Sequence, residues 1–263
     1  MTEPQFIASR DNPQLRALRK LAGDNTGYRK SGQVWVEGEH LCSAALLRGV
    51  RPAMAVLTQS LWADRRSHWA GVAAITLVLP DILFKTISTL ESPGALGFVL
   101  DLPVQGALDR GAASVVLDRV QDAGNVGSIL RSAAAFGFKQ VIALAGTAAL
   151  WSPKVLRAGM GAHFGLNLLE AVDADALKSL QIPVLATSSH AGALIQDARL
   201  PFPCAWVMGH EGQGVSPDLL ARAALQVRIG QPGGEESLNV AAAAAICLHA
   251  SAAPSGPPPK PIP

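Results

Sequence analysis

Three segments between residues 118 and 239 combine glycines with side chains that can bind or orient a ligand. The first is Asp118-Arg-Val-Gln-Asp-Ala-Gly-Asn-Val-Gly127, leading into Ser128-Ile-Leu-Arg-Ser132. Gly124 and Gly127 permit close backbone approach, Asn125 suits a helix N-cap, and Arg131 falls within two turns of that start. The second is Met208-Gly-His-Glu-Gly-Gln-Gly214, followed by Val-Ser-Pro-Asp218. Glycines around one carboxylate, Glu211, suit a ribose or an amine-bearing ligand, and the spacing is not the GxGxxG of a dinucleotide loop. The third is Ile229-Gly-Gln-Pro-Gly-Gly-Glu-Glu-Ser-Leu-Asn239, which opens an alanine-rich helix where Ser237 or Asn239 fits a cap. Each segment alone has a plainer reading: a capped helix with a solvated arginine, a glycine turn with a surface glutamate, and a second capped helix.

The elements that must position these loops alternate strand and helix. Ser114–Asp118, Gln140–Leu144, Pro183–Ala186, Cys204–Met208 and Val227–Ile229 read as strands. Asn125–Phe136, Pro153–Met160, Asp173–Leu180, Pro217–Ala223 and Leu238–Ala250 read as helices. The pattern predicts an α/β layer architecture, in which ligands bind at the carboxyl ends of strands, where these loops lie. A first unit, residues 1–105, has its own alternation. Strands are expected at Gln33–Val36, Ala53–Leu57, Ile75–Leu79 and Leu96–Leu100, and helices at Leu15–Leu21, Leu41–Leu47, Trp62–Trp69 and Asp81–Ile87. Asp11 or Asn12 would cap the opening basic helix, with Pro13 in its first turn. Pro103, Gly106 and Gly111 mark the break, a second unit covers 106–253, and the proline-rich stretch 254–263 is expected to be disordered.

Composition narrows the function. The chain has 263 residues, 49% hydrophobic and 16% charged, enough apolar content for two cored domains. A net charge of +2 excludes a polycation, so any nucleic-acid contact must be a local patch. Arg10, Arg16, Arg19, Lys20, Arg29 and Lys30 form such a patch, and a solvated helix face is the plainer reading of it. Trp35, Trp62 and Trp69 are expected in the core rather than as stacking platforms. Cys42, Cys204 and Cys247 form no CxxC pair and the histidines show no ligand spacing, so no metal is predicted. Sparse cysteines, no apolar leader and no run long enough to span a bilayer predict a cytoplasmic chain without a membrane partner.

In order, spacing and strand–loop–helix context, the three segments together resemble the SpoU (TrmH-like) branch of the SPOUT RNA methyltransferases. Asn125 and Arg131 match its first motif, and Gly209, Glu211 and Gly214 its second. Glu-Ser-Leu-Asn-Val at 236–240 matches its third. The resemblance covers about residues 114–250. The first unit is similar to the small L30e-like RNA-binding domain that precedes the catalytic domain in ribosomal-RNA members, through Ser9-Arg-Asp-Asn-Pro13, Glu37-Gly38 and Ser92-Pro93…Gly97. Two positions depart from the family's usual pattern. Ile229-Gly230-Gln231 stands where Ile-Pro-Met is common, and His210 where Asn or Ser is common.

The resemblance implies a parallel sheet with a trefoil knot, a homodimer, and methyl transfer from S-adenosylmethionine to a ribose 2′-hydroxyl. Ribosomal RNA is the favoured substrate, with transfer RNA, or a catalytically silent RNA-binding protein, as alternatives. The implied cofactor contacts are Thr187, Gly209, Glu211, Gly212, Ile229, Gln231, Ser237, Leu238 and Asn239. The implied catalytic set is Arg131, Asn125, Glu211, Ser237 and Asn239, with Arg131 also touching RNA. Glu211 would hold its own loop or Arg131.

Overall fold

The structure, a computed structural model, describes residues 3–188, 192–233 and 237–252. The proline-rich tail and Glu236 lie outside them. The chain divides into two compact units. The first takes residues up to Val104 together with Ala149–Phe164; the second takes Gln105–Ala148 and the chain from Gly165 onward.

The first unit carries β1 (Gln5–Phe6), α1 (Pro13–Gly23), α2 (Tyr28–Ser31), β2 (Gln33–Glu37), α3 (Glu39–Leu47), β3 (Met54–Thr58), α4 (Gln59–Trp69), β4 (Ile75–Leu79), α5 (Asp81–Phe84) and β5 (Leu96–Asp101). Its sheet order is β1-β4-β3-β5-β2, with β1, β4 and β3 parallel and β5 antiparallel to both of its neighbours. Helix α1 starts where Asn12 Oδ1 accepts from the Gln14 N–H at 2.8 Å and Pro13 presets the first turn. Leu15, Leu18 and Ala22 bury its apolar stripe in a core with Trp35, Val56, Leu77 and Phe84. The Trp35 ring fills the space over Gly97, where an added Cβ would lie 2.1 Å from the indole. Trp62 and Trp69 are core residues as well. The helix expected over 81–87 is a single turn at Asp81–Phe84, and β1 and α2 are too short to register as periodic patterns.

The second unit carries β6 (Ser114–Leu117), α6 (Ala123–Ala135), β7 (Gln140–Leu144), β8 (Asn167–Val172), β9 (Val184–Thr187), β10 (Ala193–Leu194), β11 (Ala205–Met208), α8 (Pro217–Arg222), β12 (Leu225–Arg228) and α9 (Val240–Ala252). A helix of the first unit, α7 (Pro153–Gly159), falls between β7 and β8 in sequence. All seven strands are parallel, in the order β10-β12-β9-β11-β6-β7-β8. The central strands β6, β7 and β11 are buried along their whole length, which is why they read as continuous apolar runs rather than alternating ones. Helix α9 buries Ala244, Cys247, Leu248 and Ser251, and Ser251 Oγ accepts from Trp206 Nε1 of β11 at 2.9 Å. The segment expected as a helix at 173–180 is a 3₁₀ turn, Ala174–Ser179, started by the Asp173 side chain.

The division differs from the expected single domain over 106–253. Ala149–Phe164 packs with the first unit because Leu150, Trp151, Val155 and Leu156 are buried there. Arg157 Nη1 donates to Thr89 Oγ1 at 2.9 Å. Within this insert, His163 is buried and bonded to the Leu150 carbonyl at 2.8 Å, and desolvation pushes its pKa down to about 4.

Candidate active site

Strand β6 leads directly into Asp118, a buried carboxylate that accepts from Arg119 Nε at 2.9 Å and from the Ser216 N–H at 2.7 Å. Burial raises its pKa, but the Arg119 and Ser216 donors outweigh that and hold it below the ordinary carboxylate range. Arg119 lies at φ 60, and its Nη1 donates to Gln213 Oε1 at 2.8 Å, so the first loop grips the second.

Helix α6 is capped by Asp122, whose side chain accepts from the Asn125 N–H at 2.8 Å. Asn125 is therefore not the cap, contrary to expectation: the helix begins at Ala123, two residues before it. This frees the Asn125 side chain. Its Nδ2 donates to Glu211 Oε1 at 3.1 Å, and its Oδ1 accepts from Asn239 Nδ2 at 2.9 Å. Glu211 also accepts from the Gln121 N–H at 3.2 Å and the Asp122 N–H at 3.0 Å. Burial raises the Glu211 pKa, and these donors override it to hold the carboxyl below its usual range. Glu211 thus holds the first loop through three donors of residues 121–125, and its own backbone N–H adds a bond within the second loop; no bond joins it to Arg131 among the described residues. Asn239 does cap its helix: its Oδ1 accepts from the Ala241 and Ala242 N–H groups at 2.9 and 3.3 Å. One hydrogen-bonded chain, Glu211–Asn125–Asn239, joins all three loops.

The second loop closes on itself through paired His210 and Gly214 backbone bonds. His210 Nδ1 accepts from the Gly212 and Gln213 N–H groups at 2.9 and 3.2 Å, the work that a short Asn or Ser side chain does in a turn. Gly209 tolerates no side chain: a Cβ would lie 2.2 Å from the backbone of Gly214 and Val215.

These loops surround a cavity of about 540 Å³. Of the contacts that the resemblance implies, Thr187, Gly209, Glu211, Gly212, Ile229, Gln231, Ser237 and Leu238 line it, and Asn239, the helix cap, does not. His210 lines it too, as do Ser188, Val215 and Ala243, and nothing in the type of these last three had marked them. The cavity suits the expected cofactor: its size falls in the ~300–1,000 Å³ range of small-molecule sites. Gln231 also leaves a buried Oε1 without a partner among the described residues. Arg131 lies just past the second turn of α6, exposed, with no side-chain hydrogen bond or ion pair among the described residues.

In the first unit Arg10, Arg16, Lys20, Arg29 and Lys30 are exposed. Arg29 stacks over the Tyr28 ring at 5.5 Å. Arg19 is turned inward instead. Its Nε donates to Thr86 Oγ1 at 3.0 Å, its Nη1 to the Arg10 carbonyl at 3.1 Å, and its Nη2 is buried, so it ties α1 to the Thr86 turn. Among the described residues, no group of three or more acidic, histidine or cysteine side chains is arranged to hold a metal ion, and no helix is long and apolar enough to cross a membrane.

A parallel sheet whose carboxyl-end loops close around one cavity defines an α/β protein that binds a nucleotide-sized ligand at its strand ends. More specifically, the chain belongs to the SpoU rRNA methylase family, whose model matches residues 112–249. The 23S rRNA (guanosine(2553)-2′-O)-methyltransferase RlmP of Bacillus subtilis is 31% identical over 248 residues, covering 92% of this chain and 97% of that one. A TrmH-family RNA methyltransferase structure from Porphyromonas gingivalis superposes with a TM-score of 0.82 at 33% identity, covering 93% of this chain and 99% of that one. The AdoMet-bound rRNA methyltransferase of Sinorhizobium meliloti shares the fold, with a TM-score of 0.82 at 23% identity over 96% of this chain and 99% of that one.

Proposed function

We propose that this chain transfers a methyl group from S-adenosylmethionine to a ribose 2′-hydroxyl of ribosomal RNA. The observation that carries the reading is the Glu211–Asn125–Asn239 chain, which fixes three ligand-binding loops around one cavity. Thr187, Gly209, Gly212, Ile229, Gln231, Ser237 and Leu238 would hold the cofactor, with Gly209 admitting it against bare backbone. When bound, the cofactor supplies an electrophilic methyl group on a sulfonium. The chain's own residues then have a positioning task, since the hydroxyl oxygen must be held in line. Asn125, Ser237 and Asn239 orient the two substrates, and Glu211 keeps the first loop in place. The guanidinium of Arg131 offers only hydrogen-bond donors, so its role is electrostatic: it grips a neighbouring phosphate and stabilises negative charge developing on the 2′-oxygen. Arg10, Arg16, Lys20, Arg29 and Lys30 supply phosphate contacts from the first unit. The reading includes the homodimer, the trefoil knot and the cytoplasmic compartment expected for the family.

Incubation with methyl-labelled S-adenosylmethionine and unmodified total RNA, followed by separation and nucleoside digestion, tests the assignment. Label is expected as a 2′-O-methyl nucleoside in ribosomal RNA. Label in transfer RNA alone moves the substrate class, and base-methylated product overturns the reaction.

A further inference from the structure

Arg119 stands in the left-handed region at φ 60, a conformation that is unfavourable for a residue with a side chain and persists where the surroundings impose it. Gly146, itself at φ 89, leaves room for its stem: an added Cβ there would lie 3.2 Å from Arg119 Cγ. The buried carboxylate of Asp118 then aims the guanidinium. It accepts from Nε at 2.9 Å and from Nη2 at 3.4 Å, which leaves Nη1 to donate to Gln213 Oε1 at 2.8 Å. Gln213 lines the cavity between Gly212 and Gly214, and the sequence had marked neither it nor Arg119. The paired His210 and Gly214 backbone bonds and the His210 ring set the shape of this turn, but they lie within the second loop. Where the turn sits against the first loop is set by Glu211 before its tip, by the Asp118–Ser216 bond after it, and by Arg119 at the tip itself. We propose that Arg119 and Gln213 form a positioning pair, whose bond holds the Gly212–Gln213–Gly214 backbone where it receives S-adenosylmethionine; this rests on the cofactor reading above. The planar fork of a guanidinium serves a carboxylate and an amide at once, which the single head of a lysine does not.

Calorimetric titration of the full chain and its variants with S-adenosylhomocysteine tests this without any turnover. Gln213→Ala leaves the buried Asp118–Arg119 pair in place, and should weaken binding about fivefold, the worth of one exposed hydrogen bond, at an unchanged melting temperature. Gln213→Glu keeps an acceptor for Arg119 and should restore binding to about the wild-type value. Arg119→Lys keeps a cation beside Asp118 without the fork and should lose about the same factor as Gln213→Ala, and the two changes combined should lose no more than either alone. Wild-type affinity in Gln213→Ala overturns the proposal, and so does a loss in Gln213→Glu as large as that in Gln213→Ala. Additive losses in the double variant also overturn it, because Gln213 then acts on the ligand independently of Arg119. Failure of wild type to bind S-adenosylhomocysteine at all overturns the cofactor reading, and this inference with it.

Discussion

Asn125→Ala probes the hub of the site. Asn125 donates to Glu211 at 3.1 Å and accepts from Asn239 at 2.9 Å, so alanine removes both bonds and leaves Glu211 and Asn239 each one partner short. The bonds sit at a half-exposed position, so each is given about 1 kcal/mol rather than the larger value of a buried charge-assisted pair. The loss of about 2 kcal/mol corresponds to roughly thirtyfold. That factor should appear in kcat/KM for RNA methylation, with part of it shared by S-adenosylhomocysteine affinity in calorimetry. Melting should change little, because the Asp122 cap and the buried face of α6 remain. Asn125→Asp should be at least as damaging as alanine, since it keeps the acceptor but sets a second carboxylate against Glu211. Combined with Glu211→Gln or Asn239→Ala, the effects should be less than additive, as expected of residues in one network. An Asn125→Ala enzyme within twofold of wild type in both measurements, or additive double variants, would refute the idea that the chain of bonds organises the site.

Arg131→Ala should abolish methyl transfer while leaving S-adenosylhomocysteine affinity unchanged, because Arg131 does not line the cavity; wild-type turnover would remove it from the mechanism. Filter-binding affinity for ribosomal RNA should fall steeply between low and moderate salt, and Arg16→Gln with Lys20→Gln should flatten the log–log slope by about one per lost phosphate contact. His210→Asn should keep cofactor affinity because a short amide can accept from the Gly212 and Gln213 N–H groups, whereas His210→Ala should weaken it severalfold. For His163, the folded value of about 4 lies below the ordinary ~6.5 of an unfolded chain, so the unfolded state binds the extra proton between them. Stability from this group is therefore full above about pH 6.5 and falls as the pH drops toward 4, by about 3 kcal/mol in all. Urea unfolding should show a steeper acid loss for wild type than for His163→Gln.

The three glycine-bearing loops that surround the cavity were legible because glycine spacing and strand–loop–helix order are local properties. Most of the strands were too, since buried parallel strands are plain apolar runs. What sequence could not show was the pairing between loops. Asn125 looks like a cap because asparagine at a helix start usually is one, and only the placement of Asp122 three residues earlier releases it for Glu211 and Asn239. Arg19 looks like its neighbours on a basic helix, yet its position on the turn of α1 facing Thr86 draws it inward. Strand β10 pairs only two residues with β12, too few for any periodicity to register. The segment Ala149–Phe164 has the same α/β texture as its surroundings, so nothing local announces that it belongs with the first unit.

That interleaving bears on how the protein is made. A ribosome delivers the chain from the N-terminus, yet the first unit lacks α7 and its buried Trp151 and Leu156 until residue 164 has emerged. By then β6, α6 and β7 of the second unit are already out, while β11, the strand that must pair with β6, is still to come. The two units therefore mature in overlap rather than one after the other, with β6 able to pair β7 at once but waiting some 90 residues of synthesis for β11 on its other side, a high-contact-order arrangement that slows folding. A fragment cut at residue 104 should accordingly expose the apolar surface that α7 covers and be recovered largely aggregated, whereas grafting 149–164 onto it through a short linker should restore a soluble, cooperatively melting unit.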